Sequence, residues 1–544
     1  MLLDIYEDTC NRMGWNQRFF IRELFDKLER SLQQGTLLLV DLPSGYGKST
    51  ATITLARYVI ENIENNKANE YFSRVIHVLP MRSIIEDLYY RVRMTLKNHN
   101  YDVDKYLAKQ YMFHPGSPFF ARRCVITTLD TFILNFFKLP AHELGKAFRD
   151  NISHFEFPRA MIYTSLVILD EFHLFSGLGS INEESKSFTA VLAAIICMLN
   201  AGVPIVVMTA TIPPRLKEYL LEEVRTSGFN VDNIEYREGY DKDFDDELKR
   251  KRREVRRMND LNCALKELKS VYNDNMRVAF IFNTVKGAIE GYQRIYADIG
   301  VNGSTDIILL HGRLPESRRE SINKLRDKSN YILVTTQVIE AGVDLNFDIM
   351  ITECPPADRL VQRAGRVARH SDHGEVWVFK AGEKQPYDTE VTEITWGMLD
   401  SVSDLDYWSS KRLISEAYKD INIVRIERLL HALKYLDRYP IFGLKEAKEA
   451  FEYFNGFTDS ASIISIYKRG DYNYKNAIPL SERDVKELIR EDGILFLADY
   501  NKEVNLRKGE IYTNKDKISV FMLKKGYRGI IVSEHIYNNL MGLV

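Results

Sequence analysis

Along the chain, short runs of consecutive apolar residues recur, each closing on polar or turn-forming positions. The first five are "TLLLVDLP" (36–43), "SRVIHVLP" (73–80), "RCVITTLD" (123–130), "SLVILDEF" (165–172) and "PIVVMTAT" (204–211). Helical patterns lie between them. A strand with one wet face alternates apolar and polar residues. Most of these runs do not, so they predict strands buried on both faces. Such strands joined by helices form a parallel sheet with crossovers. The pattern breaks at "DKDFDDELKRKRREVRRMND" (241–260), which is almost all charge and reads as a solvated connector or an extended edge segment. It resumes with "RVAFIFNT" (277–284), "TDIILLHG" (305–312), "YILVTTQV" (331–338) and "FDIMITEC" (347–354), and "EVWVFK" (375–380) closes the series. The expectation is an α/β chain: a first lobe over 1–225, a charged connector over 226–260, a second lobe over 261–385, and a mainly helical accessory domain over 386–544.

Composition narrows this little. The 74 Lys and Arg nearly balance the 76 Asp and Glu, so the net charge of -2 neither supports nor excludes a nucleic-acid groove. Five scattered cysteines with no C-x-x-C pair argue against a zinc ribbon or a disulfide framework and fit a reducing cytosol. No apolar run approaches the roughly 18 residues that span a membrane. The acidic start, "MLLDIYEDTC", lacks a signal-peptide pattern. A cytoplasmic location is expected.

The chemistry sits where strands end. "PSGYGKST" follows the first strand and precedes a helical pattern, the placement a phosphate-binding loop requires. Ser44, Gly45, Tyr46 and Gly47 would form the loop, and Lys48, Ser49 and Thr50 the start of a helix whose positive end favours phosphate. Lys48 would reach the β- and γ-phosphates of ATP, and Ser49 would place its hydroxyl on Mg²⁺. Leu42 stands where the usual motif has its first glycine. The fourth strand ends on Asp170 and Glu171, then His173. Beside such a loop Asp170 would hold Mg²⁺ and Glu171 would polarise the attacking water. His173 could link the nucleotide to "MTAT" (208–211), or be a surface histidine in a first helical turn. In the second lobe, "DRLVQRAGRVARH" (358–370) sets Arg363, Arg366 and Arg369 on roughly one helical face. A solvated basic face is the bland reading, but Gln362 and Gly365 are poor choices for a merely soluble helix. Arginines aimed at a phosphate from a second lobe would make lobe closure depend on ATP.

Taken together, P-S-G-x-G-K-S, D-E-x-H, T-A-T and Q-R-x-G-R-x-x-R in this order resemble a superfamily 2 helicase core of two RecA-like lobes. The strings "CVITTLDTFI", "FIFNTVKGAIE", "LLHGRLPESRR" and "LVTTQVIEAGVDLNFD" narrow the resemblance to the CRISPR-associated helicases of type I interference systems, over roughly residues 15–385. That resemblance implies strand contacts from Pro80, Arg82, Thr128 and Asp130 in the first lobe and Asn283, Thr284, Arg313 and Thr336 in the second. For each singly, a turn-capping role is as good a reading. Gln337, Glu340, Gly342 and Asp344 would couple that track to the nucleotide, with Asp344 on a ribose hydroxyl, and Gln17 would read adenine. Many relatives carry a nuclease built on a histidine–aspartate dipeptide. Here about 35 residues precede the first strand and none of the 11 histidines is followed by aspartate. The resemblance therefore implies a split system: an ATP- and Mg²⁺-dependent single-stranded-DNA translocase, recruited by the RNA-guided surveillance complex, with a separate nuclease subunit. A DEAD-box-like RNA helicase and a non-translocating ATP-switched clamp are the alternatives.

Overall fold

The computed structural model describes residues 1–543 except 32–35, 68–70, 113, 115, 177–183, 274, 300–305, 316–324, 326–327, 341–344, 381, 383–385, 460–463, 474–475, 481, 483, 486–493, 499–500, 507–517, 533–536 and 539–541. Seven strands form the first sheet: β1 (Thr36–Asp41), β2 (Arg74–Leu79), β3 (Leu107–Gln110), β4 (Cys124–Thr128), β5 (Ser165–Leu169), β6 (Ile205–Thr209) and β7 (Asn230–Glu235). Their order is β3-β4-β2-β5-β6-β1-β7, and every pairing is parallel. The continuous apolar runs are buried on both faces, as their pattern predicts. Leu37 and Leu39 face one core with the helix Lys186–Asn200, while Leu38 and Val40 face another with the helix Lys48–Glu64.

The second sheet holds β8 (Arg252–Met258), β9 (Arg277–Ile281), β10 (Ile307–Leu310), β11 (Tyr331–Thr335), β12 (Ile349–Glu353) and β13 (His373–Phe379). Its order is β10-β11-β9-β12-β13-β8, again all parallel. The charged stretch divides between the lobes. A helix, Lys242–Arg250, follows the edge strand β7, and β8 is the edge strand of the second sheet. Residues 403–405 cover the outer edge of β8, where the Val255 amide donates to the Ser403 carbonyl at 2.9 Å, and its run of Arg and Glu further discourages pairing with another chain.

The C-terminal region is helical through residue 454, with helices Thr389–Met398, Tyr407–Ala417, Glu427–Arg438 and Leu444–Phe454. A five-stranded mixed sheet follows, which the sequence pattern does not announce: β14 (Ile464–Lys468), β15 (Ile478–Leu480), β16 (Ile494–Leu497), β17 (Glu503–Leu506) and β18 (Gly529–Val532). This region docks on the first lobe. Leu429, Leu430, Leu433 and Leu436 of the helix Glu427–Arg438 are buried in the core that holds the helix Lys186–Asn200, each contributing roughly 2 kcal/mol. Polar ties fix the angle: Arg159 pairs with Asp437 at 2.7 Å, and Asp459 accepts from the Ser185 hydroxyl at 2.9 Å. The helix Tyr407–Ala417 bridges the lobes. Its ends are tied to the second lobe, where the Leu405 amide donates to the Arg253 carbonyl at 3.0 Å and the Tyr418 hydroxyl to Asp358 at 2.5 Å. Its first two turns also touch the first lobe, with the Tyr407 ring 5.1 Å from that of Tyr236 and Lys411 on Glu235 at 2.5 Å. Among the described residues no helix is long and apolar enough to cross a membrane.

Candidate active site

Parallel strands deliver their carboxyl ends to one edge of a sheet, where ligands of open α/β folds bind. At the end of β1 the loop turns through Gly45 and Gly47, at φ +84° and +95°, a region that disfavours any side chain. Leu42 has no such φ. It is fully buried and its amide donates to the Thr209 carbonyl at 3.1 Å, so it continues the strand where a glycine is not required. The Lys48 ammonium donates to the carbonyls of Leu42 (2.7 Å) and Pro43 (3.3 Å), inside the loop it would leave to meet a phosphate. The Ser49 hydroxyl accepts from Arg91 at 3.0 Å, and Thr50 caps the helix through the Gly47 carbonyl at 2.5 Å. Ser44 is exposed. Tyr46 departs from its expected role. Its side chain is fully buried, packed on Phe20 and Phe244, and its hydroxyl donates to Asp241 at 2.7 Å. Only its backbone is left for phosphate, because an aromatic ring is worth more in this core than beside a charged ligand. The Phe20 amide donates to the Tyr46 hydroxyl at 3.1 Å, which brings the segment of Gln17 beside the loop. Gln17 itself is exposed and accepts from Arg22 at 2.6 Å.

After β5, Asp170 is held by His77 of the neighbouring β2 (Nε2 to Oδ2, 3.3 Å), and the other ring nitrogen of His77 meets the Thr52 hydroxyl at 2.9 Å. Burial would raise the Asp170 carboxyl, but the bond and charge of His77, with Lys48, hold it below the ordinary carboxylate range. Neither His77 nor Thr52 carries a motif signal; only strand adjacency reveals them. Glu171 has φ +52°, a left-handed turn that costs a non-glycine residue on the order of 1 kcal/mol. Burial, then the charge of Asp170, pushes its pKa up to about 7 against the opposing pull of Lys48, Arg366 and Arg359. His173 is fully buried, not a surface histidine. Burial, with the charges of Arg359 and Lys48, keeps its imidazole well below the ordinary value and neutral. Nδ1 lies 3.1 Å from the Thr209 hydroxyl, and Nε2 lies 3.0 Å from that of Thr211. Nε2 also meets the Gln362 amide of the second lobe. The two lobes therefore touch through the residues expected to act on one nucleotide.

In the second lobe the helix Ala357–Ala364 stops at Gly365, and Ala368 adopts φ +50°, so the three arginines do not share one helical face. They divide instead. Arg363 is fully buried with Glu340, to which its Nε donates at 2.9 Å, and its Nη1 donates to Thr352 at 2.7 Å. Arg366 donates to the Glu340 carbonyl at 2.9 Å and is close enough to Glu171 to lower its pKa. Arg369 is half-buried, its amide on Asn346 at 2.7 Å. Arg359, which the helical-face argument passes over, pairs with Glu340 at 3.2 Å and acts electrostatically on Glu171 and His173. Replacing Arg363 with Ala removes a fully buried partner of the buried Glu340, and breaking such a pair costs about 3–5 kcal/mol. The expected result is a lower melting temperature and urea midpoint for Arg363→Ala, with little change for Arg366→Ala.

Family models match both lobes. The DEAD/DEAH box helicase model covers residues 26–219, and the C-terminal model of the CRISPR-associated nuclease/helicase Cas3 covers 274–372. The CRISPR-associated helicase Cas3 of Thermoproteus tenax is 23% identical over 83% of this chain and 73% of its own. Both lobes thus resemble those of the CRISPR-associated superfamily 2 helicases. A Cas3 nuclease/helicase of Methanocaldococcus jannaschii is 23% identical over 74% of this chain, which spans about half (54%) of that relative. T. fusca Cas3 with ATP has a similar fold, at TM-score 0.60, 15% identity and coverage of 97% of this chain and 70% of that one. A chain of an RNA-guided CRISPR surveillance complex, pre-nicking, matches at TM-score 0.53 and 17% identity over 95% of this chain and 67% of its own.

The residues expected to contact a nucleic-acid strand are held as follows. Thr128 bonds the Thr131 hydroxyl at 3.0 Å, and the Thr284 hydroxyl accepts from the Gly287 amide at 2.9 Å, both local turn contacts. Asn283 is buried and ties β9 to β12 through the Cys354 carbonyl at 3.0 Å. Thr336 is buried at the end of β11. Pro80 and Arg82 are half-buried beyond β2, and the Arg82 guanidinium lies 5.2 Å from the Tyr111 ring. Asp130 accepts from Thr458, at 2.5 Å, and Arg313 donates to Asp484 at 3.2 Å, so the C-terminal region reaches both halves of that track. Gly342 and Asp344 lie outside the described residues. Ser49 and Asp170 are hard oxygen donors of the kind Mg²⁺ takes, and the buried Glu171 Oε2 has no hydrogen-bond partner among the described residues. That donor set fits a divalent cation beside nucleotide phosphates.

Proposed function

We propose that this chain is a nucleic-acid-dependent ATPase that translocates along single-stranded DNA in type I CRISPR interference. The observation that carries the reading is the His173–Gln362 contact, which joins the carboxylate corner of one lobe to the arginine segment of the other. ATP would lie between them. Lys48 binds its phosphates, Glu171 accepts the proton of the attacking water, and Arg366 and Arg369 meet charge that grows on the γ-phosphate in the transition state. Mg²⁺ held by Ser49 and Asp170 would neutralise phosphate charge. His173, neutral and bonded to both Thr211 and Gln362, relays the state of one lobe to the other. The surveillance-complex neighbour supports recruitment by such a complex. The Thermoproteus relative is named a CRISPR-associated helicase, and in this reading strand cutting falls to a separate metal-dependent subunit.

The test measures ATP turnover with single-stranded DNA, duplex DNA, RNA or nothing, and follows strand separation. Single-stranded DNA should stimulate most, with unwinding and no cutting until the nuclease subunit is added. Stimulation by RNA alone would favour the DEAD-box-like reading. Binding that switches with ATP but moves no strand would favour the clamp.

A further inference from the structure

The three strands at one edge of the first sheet begin on cations. Lys105 precedes β3 by two residues, Arg122 and Arg123 precede β4, and Arg74 opens β2. Parallel register places these starts side by side, because Leu107 pairs with Cys124 and Val75 pairs with Cys124 from the other side. They lie at the amino ends of the strands, about 20 Å from the carboxyl ends that carry the ATP site.

Many of the described arginines pair with carboxylates, as Arg57, Arg159 and Arg277 do. Those at this edge do not. Arg74 donates to the carbonyls of Ala121 (2.7 Å) and Arg122 (3.1 Å), Arg122 to that of Lys105 (2.9 Å), and Arg123 to that of Ser73 (3.4 Å). Of the nearby acids, Asp104 is paired with Arg93 at 2.6 Å but also feels the charge of Arg122; Asp102 and Glu64 act on Lys105; and Glu156 is paired with Arg159 at 2.5 Å. Capping carbonyls explains why each guanidinium is ordered, but not why several cations gather at one edge. Burial and the charge of Arg123 push Arg74 down to about 10, a repulsion that an anion would relieve. The loop before β4 also carries Phe119, which meets Phe157 of the helix Glu156–Tyr163. Phe119, at φ +61°, sits 5.7 Å edge-on to Phe157, which is 49% exposed. Cations beside exposed rings are the surface that a single nucleic-acid strand fits, phosphates on the guanidiniums and bases on the rings.

We propose that Lys105, Arg122, Arg123 and Arg74, with Phe157, form a second binding surface for single-stranded nucleic acid on the first lobe, remote from the track between the lobes. The surface rests on the reading of the chain as a nucleic-acid enzyme. It holds a strand by its backbone and reads no sequence, since it offers no base-edge recognition.

The experiment compares the full chain with Lys105→Glu/Arg122→Glu and with Phe157→Ala. It measures anisotropy of short and long oligothymidylates across a salt series, together with melting curves and basal ATPase. The charge reversal should weaken binding of the long oligomer roughly 10-fold and lower the salt slope by about 0.7 for each phosphate no longer neutralised. Phe157→Ala should weaken it by a similar factor with the slope unmoved. Short oligomers, melting and basal ATPase should stay as in the parent. Unchanged affinity and slope in both variants, with the parent binding and stimulated by DNA, would overturn this surface alone. Loss of an acidic protein partner with unchanged DNA binding would overturn it in favour of protein docking. A parent that neither binds nor responds to nucleic acid would instead overturn the reading beneath it.

Discussion

Glu171→Gln lowers ATP turnover by about 10²–10⁴-fold, the range for removing a positioned general base, while nucleotide binding persists. The amide keeps the shape of the side chain and loses the site that takes the proton. The pH profile gives an independent check. The Glu171 pKa is raised to about 7 by burial and Asp170. A base works only when deprotonated, so the parent rate is full above that value and falls as pH drops through it. This is the reverse of what an acid donor would give. Steady-state rates from about pH 5 to 9, spanning the range in which a tuned general base titrates, with nucleotide binding followed separately, decide the matter. A Gln variant that turns over at the parent rate would remove Glu171 from the chemistry.

The second large effect is at Arg366. Its guanidinium is anchored on the Glu340 carbonyl and stands near Glu171, placed to meet charge that grows on the transferring phosphoryl group. Arg366→Ala should cut the rate by roughly 10³–10⁵-fold, as for arginine fingers, and affinity by far less, because the interaction strengthens in the transition state. Single-turnover rates beside equilibrium nucleotide binding separate the two. Equal losses in both would make Arg366 a ground-state ligand. Arg363→Ala should fail differently, through stability, since that side chain is turned into the core of its own lobe.

What the sequence reveals follows from what is local. Continuous apolar runs announce β1, β5 and β9 because burial on both faces leaves no polar position to tolerate. The phosphate loop is legible because its glycines, lysine and flanking strand are contiguous. The edge strand β7 is hidden because an edge tolerates polar residues, while β8, a strand of arginines and glutamates, reads equally as a connector or as the edge segment it proves to be. His77, Thr52 and Arg359 are hidden because each gains its place from a residue distant in sequence or from the turn of a helix. The division of Arg363 from Arg366 depends on a helix ending at Ala364 and on a buried Glu340, neither of which periodicity discloses. The burial of Tyr46 is hidden for a related reason: a loop motif names the backbone path and leaves the side chain to the core behind it.

The helix Tyr407–Ala417 is held by the second lobe at both ends and by the first along its opening turns and just past its end. Such a brace turns the meeting of the lobes into an intramolecular event, with an effective concentration fixed by covalent structure rather than by nucleotide. Releasing Lys411 from Glu235 and Tyr407 from Tyr236 leaves the first lobe still tied beside this helix, through Arg215 on the Lys419 carbonyl and the docked helix Glu427–Arg438.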